Sequence, residues 1–218
     1  MQADDYIVAF KREDTLADAA LAWRREAKNE NYSHFNIVTF VEKVLLPKSK
    51  RPFTIEFFDA RDGQKPAFVS FTPEVVLNVD RAIWDLARDG EPDARFIVAH
   101  EIGHLTLHDH FAKAFSDDPS DHVKSVVKER SAEWQANTFA FYFLMPDMIV
   151  AAYRDVTELS VACEVTERIA RLRVAMNSRL ALLYSASQGG FCPNCGEFCN
   201  TGEKCRNPSC VIPMAVAR

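Results

Sequence analysis

The sequence lacks the features that send a chain into or across a membrane. Its first five residues are acidic overall and have neither the basic start nor the apolar stretch of a secretory signal. The most apolar segment, residues 139–153, is interrupted by Pro146 and Asp147 and falls short of the roughly 20 apolar residues that a spanning helix needs. We therefore expect a cytoplasmic protein with no membrane partner.

Positive charge is outnumbered by negative charge. The chain has 26 Lys and Arg against 31 Asp and Glu, a net charge of −5, so its overall field repels a phosphate backbone and gives no support to nucleic acid as a partner. It has no extended polar tract and no internal repeat, and 48% of its residues are hydrophobic, which is typical of a folded globular protein. At 218 residues, one medium domain with a small appendage is expected.

The first half of the chain predicts two helices followed by a small sheet. Helical spacing covers residues 14–28, and Ser33 is the predicted cap of a second helix that runs through Leu46 and stops at Pro47. Three short segments rich in β-branched and aromatic residues follow, at residues 53–59, 67–71 and 74–79. We expect them to form a small, mainly antiparallel three-stranded sheet, and so an α+β fold.

Longer helices are predicted after the sheet. One covers residues 93–108, with Pro92 in a favourable first-turn position. A second should run from Asp121 or His122 to Leu144, where Pro146 forces the chain out of helical geometry. Residues 158–184 add one or two more helices, so the domain is mainly helical.

The helix over residues 93–108 contains an HExxH pattern. His100 and His104 are four residues apart, about 40° around the axis and one turn along it, so both imidazoles can reach one cation. Glu101 lies about 60° from His104 and can contact a water on the metal, which suits a general base. The opposite face, which should anchor the helix, carries Val98, Ile102 and Leu105. The alternative is two exposed histidines on an ordinary surface helix.

A catalytic zinc usually has three protein ligands and one open position, so the pair needs a third partner. His110 would complete a longer zinc motif, but Leu107 stands where that motif needs glycine. Glu133 is the other candidate, because the small residues Ala132, Ala136 and Ala140 would let its helix pack closely on the histidine helix. Glu129, one turn earlier, is not excluded by spacing.

Two further polar residues lie near these candidates. Asn137 lies one turn after Glu133 on the same face and can hydrogen-bond a ligand or the substrate. His108 lies one turn beyond His104, at the end of the helix, and we expect its side chain to face solvent.

Residues 96–108, FIVAHEIGHLTLH, together with residues 133–140, EWQANTFA, and residues 143–146, FLMP, resemble the ImmA/IrrE family of metallopeptidases. The likeness extends more loosely over residues 14–155. It implies a zincin-like metallopeptidase domain, and it favours Glu133 over Glu129 and His110. The implied site residues are His100, His104 and Glu133 as zinc ligands and Glu101 as the catalytic base.

The same resemblance suggests the substrate. Family members are described as cytoplasmic proteases that cut helix-turn-helix repressors of phage, mobile elements or stress regulons, and so relieve repression. We accordingly expect a zinc-dependent endopeptidase with a repressor as its protein substrate. The alternative is a non-catalytic zinc-containing regulator that binds a repressor or nucleic acid.

The C-terminal segment departs from the family pattern. The Gly189-Gly190 pair marks a joint, which predicts a metallopeptidase domain over residues 1–188 and a small zinc-ribbon-like module over residues 189–218. A module of about 30 residues is too short for a sufficient apolar core, so a structural zinc would supply most of its folding free energy. The predicted ligands of this second zinc are Cys192, Cys195, Cys205 and Cys210, with Cys199 as the alternative. Free cysteines or a redox pair are the other interpretations.

Nucleic-acid binding through this module and the neighbouring helix is the remaining alternative. That helix carries Arg168, Arg171 and Arg179, although a solvated helical face is the commoner explanation of such charge.

Overall fold

The computed structural model describes residues 6–108 and 128–176, together with the backbone of two short paired strands, Gly190–Phe191 and Phe198–Cys199. The predictions for His110, and for the zinc-binding side chains of Cys192, Cys195, Cys199, Cys205 and Cys210, lie outside the described residues. Within them the protein is mostly helical with a small sheet, which confirms the predicted α+β class. None of the described helices is both long and apolar enough to span a membrane.

The elements of the main body follow in chain order. They are α1 (Glu13–Glu26), α2 (Ile37–Phe40), a π-helical turn (Val41–Leu45), α3 (Leu46–Lys48), β1 (Thr54–Phe58), β2 (Ala67–Ser70), β3 (Val76–Asp80), α4 (Arg81–Arg88), α5 (Pro92–Leu107), a 3-10 turn (Lys128–Arg130), α6 (Ala132–Leu144), α7 (Asp147–Ala152), α8 (Val156–Cys163) and α9 (Glu167–Met176).

The second helical region differs from its prediction at both ends. It begins later, because the cap is Asn36, whose side chain accepts a hydrogen bond from the Thr39 amide, and not Ser33. It also continues past Pro47 to Lys48. Proline is tolerated where a helical segment begins, since its missing N–H would have no partner there, and the π-helical turn immediately before α3 creates such a start.

Two further helices correct the sequence prediction. The helix of Glu133 does not begin at residue 121 or 122: α6 starts at Ala132, because the Ser131 hydroxyl accepts the Trp134 amide as its N-cap. Helix α4 was not predicted at all. Its cap is Asp80, whose carboxylate accepts the Ile83 amide at the point where β3 ends.

The sheet is mixed, so the prediction of a mainly antiparallel sheet is wrong. Its strand order is β1-β3-β2, with β1 parallel to β3 and β2 antiparallel to β3. Only β2 and β3 are joined by a short turn, at Thr72-Pro73. The longer connection between β1 and β2 leaves room for β3, whose Leu77 and Val79 are fully buried, to occupy the centre.

Helix α5 runs through the middle of the core. Its Val98, Ile102 and Leu105 are buried, as the apolar pattern predicted. It packs against α4, β2 and α6, so its position is set from several sides.

Candidate metal centre

The ends of α5 are fixed by a local cap and by hydrogen bonds to distant parts of the chain. The Glu91 carboxylate accepts the Ala94 amide as the N-cap. Arg95, which is buried, donates to the carbonyl oxygens of Phe35 at 2.8 Å and Cys163 at 3.3 Å. At the other end, Arg51 donates to the carbonyl oxygen of His108. A helix held at both ends presents its histidines in a defined orientation.

Helix α6 crosses α5 at very close range. A Cβ atom built on Gly103 would lie 3.0 Å from both the Cα and the carbonyl oxygen of Ala136, so any other residue here would force the two helices apart by a few tenths of an ångström. Ala132 and Ala140 are completely buried on either side of Ala136, which confirms the close packing predicted from the small-residue ridge. This approach brings the side chain of Glu133 to the histidine pair.

The structure brings His100, His104 and Glu133 together. Their potential ligand atoms all lie within 4.8 Å of one another. The two Nε2 atoms of the histidines are 3.0 Å apart. The Glu133 carboxylate lies 3.2 Å from His100 Nε2 and 3.6 Å from His104 Nε2. Such a His-His-Glu group is able to bind a metal ion.

The outer nitrogen of His100 has a fixed partner. The Oδ1 atom of Asn137 lies 2.9 Å from His100 Nδ1. An amide oxygen only accepts, so Nδ1 carries the hydrogen and Nε2 is the nitrogen that faces the shared point. Asn137 thus acts through the histidine, one of the two roles that its spacing allowed.

His108 corrects the prediction of a solvent-facing residue. Only 3% of its surface is exposed, and its Nδ1 lies 3.0 Å from His104 Nδ1. Its Nε2 lies 3.2 Å from the side-chain oxygen of Gln135, on α6. Burial is the main cause that lowers the pKa of His108 to about 4, so the imidazole is neutral near pH 7.

A segment before α1 completes this side of the centre. Tyr6 stacks on His104 with ring centroids 6.2 Å apart and meets His108 edge-on at 5.9 Å. Its hydroxyl lies 3.4 Å from His104 Nδ1. Sequence reasoning did not find Tyr6 or Gln135, because the spacing of the motif refers neither to the N-terminal residues nor to which side chains of α6 contact His108.

Glu101 is buried beside the histidine pair, with 6% of its surface exposed. Burial raises its pKa to about 7, and the charge of Glu133 adds to the rise, whereas His100, Lys65 and a hydrogen bond from the Val69 backbone oppose it. A carboxylate with a pKa near neutrality can both take up and release a proton at that pH.

The charges of the three converging groups are coupled. Burial would lower the pKa of His100, but its hydrogen bond to Glu133 and the charges of Glu101 and Glu133 outweigh that effect and raise it. The same hydrogen bond lowers the pKa of Glu133. Burial, followed by repulsion from His100, keeps the pKa of His104 well below its usual value. The centre therefore favours one positive charge between the carboxylates, carried by a proton or by a metal ion.

Glu129 lies elsewhere. It belongs to the 3-10 turn, and among the described residues it is not a member of the converging group. Its backbone oxygen accepts hydrogen bonds from Gln135 Nε2 at 2.7 Å and from the Lys11 amide at 3.1 Å.

Two arginines of α9 are engaged within the protein. Arg173 is completely buried and donates to the Met145 carbonyl oxygen and to Asp147. Arg171 pairs with Glu167 one turn earlier. These contacts occupy two of the cations that would otherwise form a basic face.

Comparison with protein families matches residues 83–174 to the Peptidase_M78 family, described as the IrrE N-terminal-like domain. The matched segment contains α5 and α6, and it supports the resemblance to the ImmA/IrrE family for this part of the chain. No curated protein matches the chain.

Among solved structures, the chain is similar to a Mycobacterium tuberculosis transcriptional regulator. The match has 16% sequence identity and a TM-score of 0.48, and it covers 78% of this chain and 51% of that one. The chain thus spans about half the length of the structure that it matches.

Proposed function

We propose that this protein is a zinc-dependent endopeptidase whose substrate is a helix-turn-helix transcriptional repressor, so that cleavage relieves repression. The observation that carries the catalytic part is the convergence of the His100 and His104 Nε2 atoms and the Glu133 carboxylate beside the buried Glu101. The match of residues 83–174 to the IrrE N-terminal-like domain supports a metallopeptidase. The choice of a repressor rests on the family resemblance.

The ligand set proposed for the catalytic ion is His100, His104 and Glu133. Two imidazoles and one carboxylate leave an open position on a tetrahedral ion, as catalytic zinc sites require. The hydrogen bond between His100 Nδ1 and Asn137 fits this assignment, since it directs the unprotonated nitrogen inward. Bound there, zinc would activate a water molecule and polarise the scissile carbonyl group.

Glu101 is the proposed general base. It takes a proton from the attacking water at its carboxylate and then gives that proton to the leaving amine. Its raised pKa, about 7, suits both halves of this transfer, because neither proton uptake nor proton release is strongly unfavourable near neutral pH.

A strand edge beside Glu101 supports a peptide as the substrate. Among the described strands β2 is at an edge of the sheet, and the Pro66 carbonyl oxygen accepts the Asp80 amide at 2.7 Å. Since antiparallel pairing alternates, the backbone groups of Ala67 and Val69 point away from β3. The Val69 amide faces Glu101. Because that amide already donates to Glu101, an extended substrate would pair with the outward-facing groups of Ala67 and pass the proposed base.

The cysteine-rich module is a separate part of the proposal. We assign a structural zinc to Cys192, Cys195, Cys205 and Cys210, with Cys199 as the alternative ligand, in a module over residues 189–218. The chain would then hold two zinc ions. Metal analysis tests this: Cys192→Ser should lower the zinc content by one ion and leave the His-His-Glu site loaded, whereas an unchanged content would contradict the assignment.

The decisive experiment incubates the purified full chain with the repressor encoded beside its gene, with and without chelator, and maps any cut by mass spectrometry. Wild type should cleave only with metal. Glu101→Gln should retain zinc and lose cleavage, and His100→Ala should lose both. Glu129→Gln is the matched control, since it makes the same chemical change outside the cluster and should retain both.

Two outcomes would overturn the proposal. Full cleavage by Glu101→Gln would remove the assigned base. A stable complex in which the repressor remains intact with metal present would favour the non-catalytic regulator.

A further inference from the structure

We propose that His108 and Gln135 are positioning residues that fix the tautomer of His104, and that the N-terminal strap, residues 6–11, orients this relay. The inference rests on the proposed metal centre but not on cleavage. Its basis is a chain of hydrogen bonds that has only one chemically consistent direction.

The chain of hydrogen bonds starts at Gln135. Its side-chain nitrogen lies 2.8 Å from the Ala9 carbonyl oxygen and 2.7 Å from the Glu129 carbonyl oxygen. Carbonyl oxygens only accept, so the amide nitrogen must occupy this side. The reverse orientation would place an amide oxygen against two other oxygens. The Gln135 Oε1 atom therefore faces His108, where Lys11 also donates to it at 3.4 Å.

The direction then passes through His108. Since Gln135 Oε1 only accepts, the hydrogen of the buried imidazole must be on Nε2, 3.2 Å away. In a neutral imidazole the other nitrogen, Nδ1, is an acceptor. It lies 3.0 Å from His104 Nδ1, which must in turn be the donor.

This fixes the inner nitrogen of His104. With its hydrogen on Nδ1, the Nε2 atom has a free lone pair directed at the point shared with His100 Nε2, 3.0 Å away, and Glu133. That tautomer is the one able to bind a cation. His104 is thus set by a chain of side chains, whereas the partner of His100 Nδ1 among the described residues is Asn137.

The strap provides the Ala9 carbonyl oxygen that orients the Gln135 side chain, and so sets the direction of the hydrogen bonds. Its backbone pairs with the turn before α6: Val8 donates to the Arg130 carbonyl oxygen at 2.8 Å, and the Tyr6 carbonyl oxygen accepts from Ala132 at 3.1 Å. This pairing places the Ala9 carbonyl oxygen against Gln135. It also lays the Tyr6 ring against His104 and His108. The strap therefore connects residues at the start of the chain to the outer side of the metal centre.

The test reads the tautomers directly, in the full-length protein without metal or substrate. Long-range ¹⁵N–¹H correlation spectra should show His104 with hydrogen on Nδ1 and His108 with hydrogen on Nε2 at neutral pH. In Gln135→Leu, both tautomers of His104 should be populated. Thr138→Val, a buried change on the same helix outside the relay, should leave the spectra unchanged. Hydrogen on Nε2 of His104 in wild type would overturn the inference.

Metal affinity supplies a second readout. His108→Leu should weaken Co²⁺ binding at the His-His-Glu site by roughly 10–100-fold, measured by chelator competition and followed in the visible spectrum. His108→Asn should recover most of the affinity, because its Oδ1 atom can accept at the place of the lost Nδ1. Equal losses in both variants would indicate a packing role and refute the relay.

The two proposals fail in different ways. Correct tautomers in a protein that never cleaves would leave the positioning role intact and remove the peptidase. Cleavage by a protein whose His104 carries hydrogen on Nε2 in the metal-free state would support the peptidase and refute the positioning role.

Discussion

Gly103 and Ala136 touch backbone to backbone at the crossing of α5 and α6. A Cβ atom on Gly103 would stand 3.0 Å from the Cα and from the carbonyl oxygen of Ala136, and 3.3 Å from its Cβ. The contact lies one residue before His104 and three residues after Glu133. The separation of the two helices, and with it the reach of Glu133 to the histidines, depends on this glycine.

Gly103→Ala should therefore weaken both the fold and the metal centre. Two of the three closest atoms belong to the backbone, which cannot rotate away, so the helices must separate. We expect a loss of about 1–3 kcal/mol in the free energy of unfolding, typical of overpacking a core, together with weaker zinc binding. Urea unfolding and chelator competition would measure the two effects. Adding Ala136→Gly should restore only part of the lost stability. Unchanged stability and zinc affinity in Gly103→Ala would contradict the close contact.

The parts of the site that the sequence predicted are those set by local spacing. The turn of helix between His100 and His104 fixes the relation of their imidazoles wherever the helix lies. The bounds of α5 were also predictable, because Pro92 is a local start signal. The small residues of α6 predicted that this helix packs closely on α5, but they did not predict that the contact is made at Gly103.

The parts that the sequence did not predict depend on contacts between distant segments. Whether His108 faces solvent depends on Tyr6 and Gln135, which come from opposite sides of the motif in the chain. The pairing of β1 with β3 was missed for the same reason, since alternation of apolar residues predicts strands but does not say which strands are neighbours.

Glu133→Gln and Glu129→Gln form a matched pair. The first removes a charge from the converging group, so zinc affinity should fall by at least 10-fold. Substitution of residues that only hydrogen-bond a metal ligand already lowers metal affinity by about 10–100-fold. The second makes the same change four residues earlier, in the 3-10 turn before α6, and should leave the affinity within about two-fold of wild type. Chelator competition measures both affinities. Similar losses in the two variants would indicate that Glu133 acts through its long-range charge and does not bind the metal.

Asn137 should control the basicity of His100. Asn137→Leu removes the acceptor that lies 2.9 Å from His100 Nδ1, so the ring loses its fixed orientation, and metal affinity should fall about 10–100-fold. Asn137→Asp keeps the acceptor and adds negative charge, which should raise the affinity. Isothermal titration with zinc gives the sign of each change. Equal weakening by both substitutions would show that Asn137 acts only by packing.

The buried carboxyl of Glu101 should make the metal-free protein less stable as the pH rises. Its pKa in the folded protein is raised from 4.5 to about 7, so between these values the folded state binds more protons than the unfolded chain does. This contribution to stability is complete below about pH 4.5 and is lost as the pH rises through 7. Glu101→Gln carries no such charge and should not show the loss.

At pH 8 in chelator, Glu101→Gln should therefore exceed wild type by a free energy of unfolding on the order of 3 kcal/mol. At pH 5 the gap should shrink to about 1 kcal/mol. The comparison is differential, so loss of metal from the cysteine-rich module affects both proteins alike, whereas the charge coupling between Glu101 and His100 is part of the measured difference. Urea unfolding at the two pH values measures the difference. An equal difference in the free energy of unfolding at both pH values would mean that Glu101 is not the group whose burial opposes ionisation. Zinc added back at pH 8 should narrow the difference, because a cation beside the carboxylate favours its charged form.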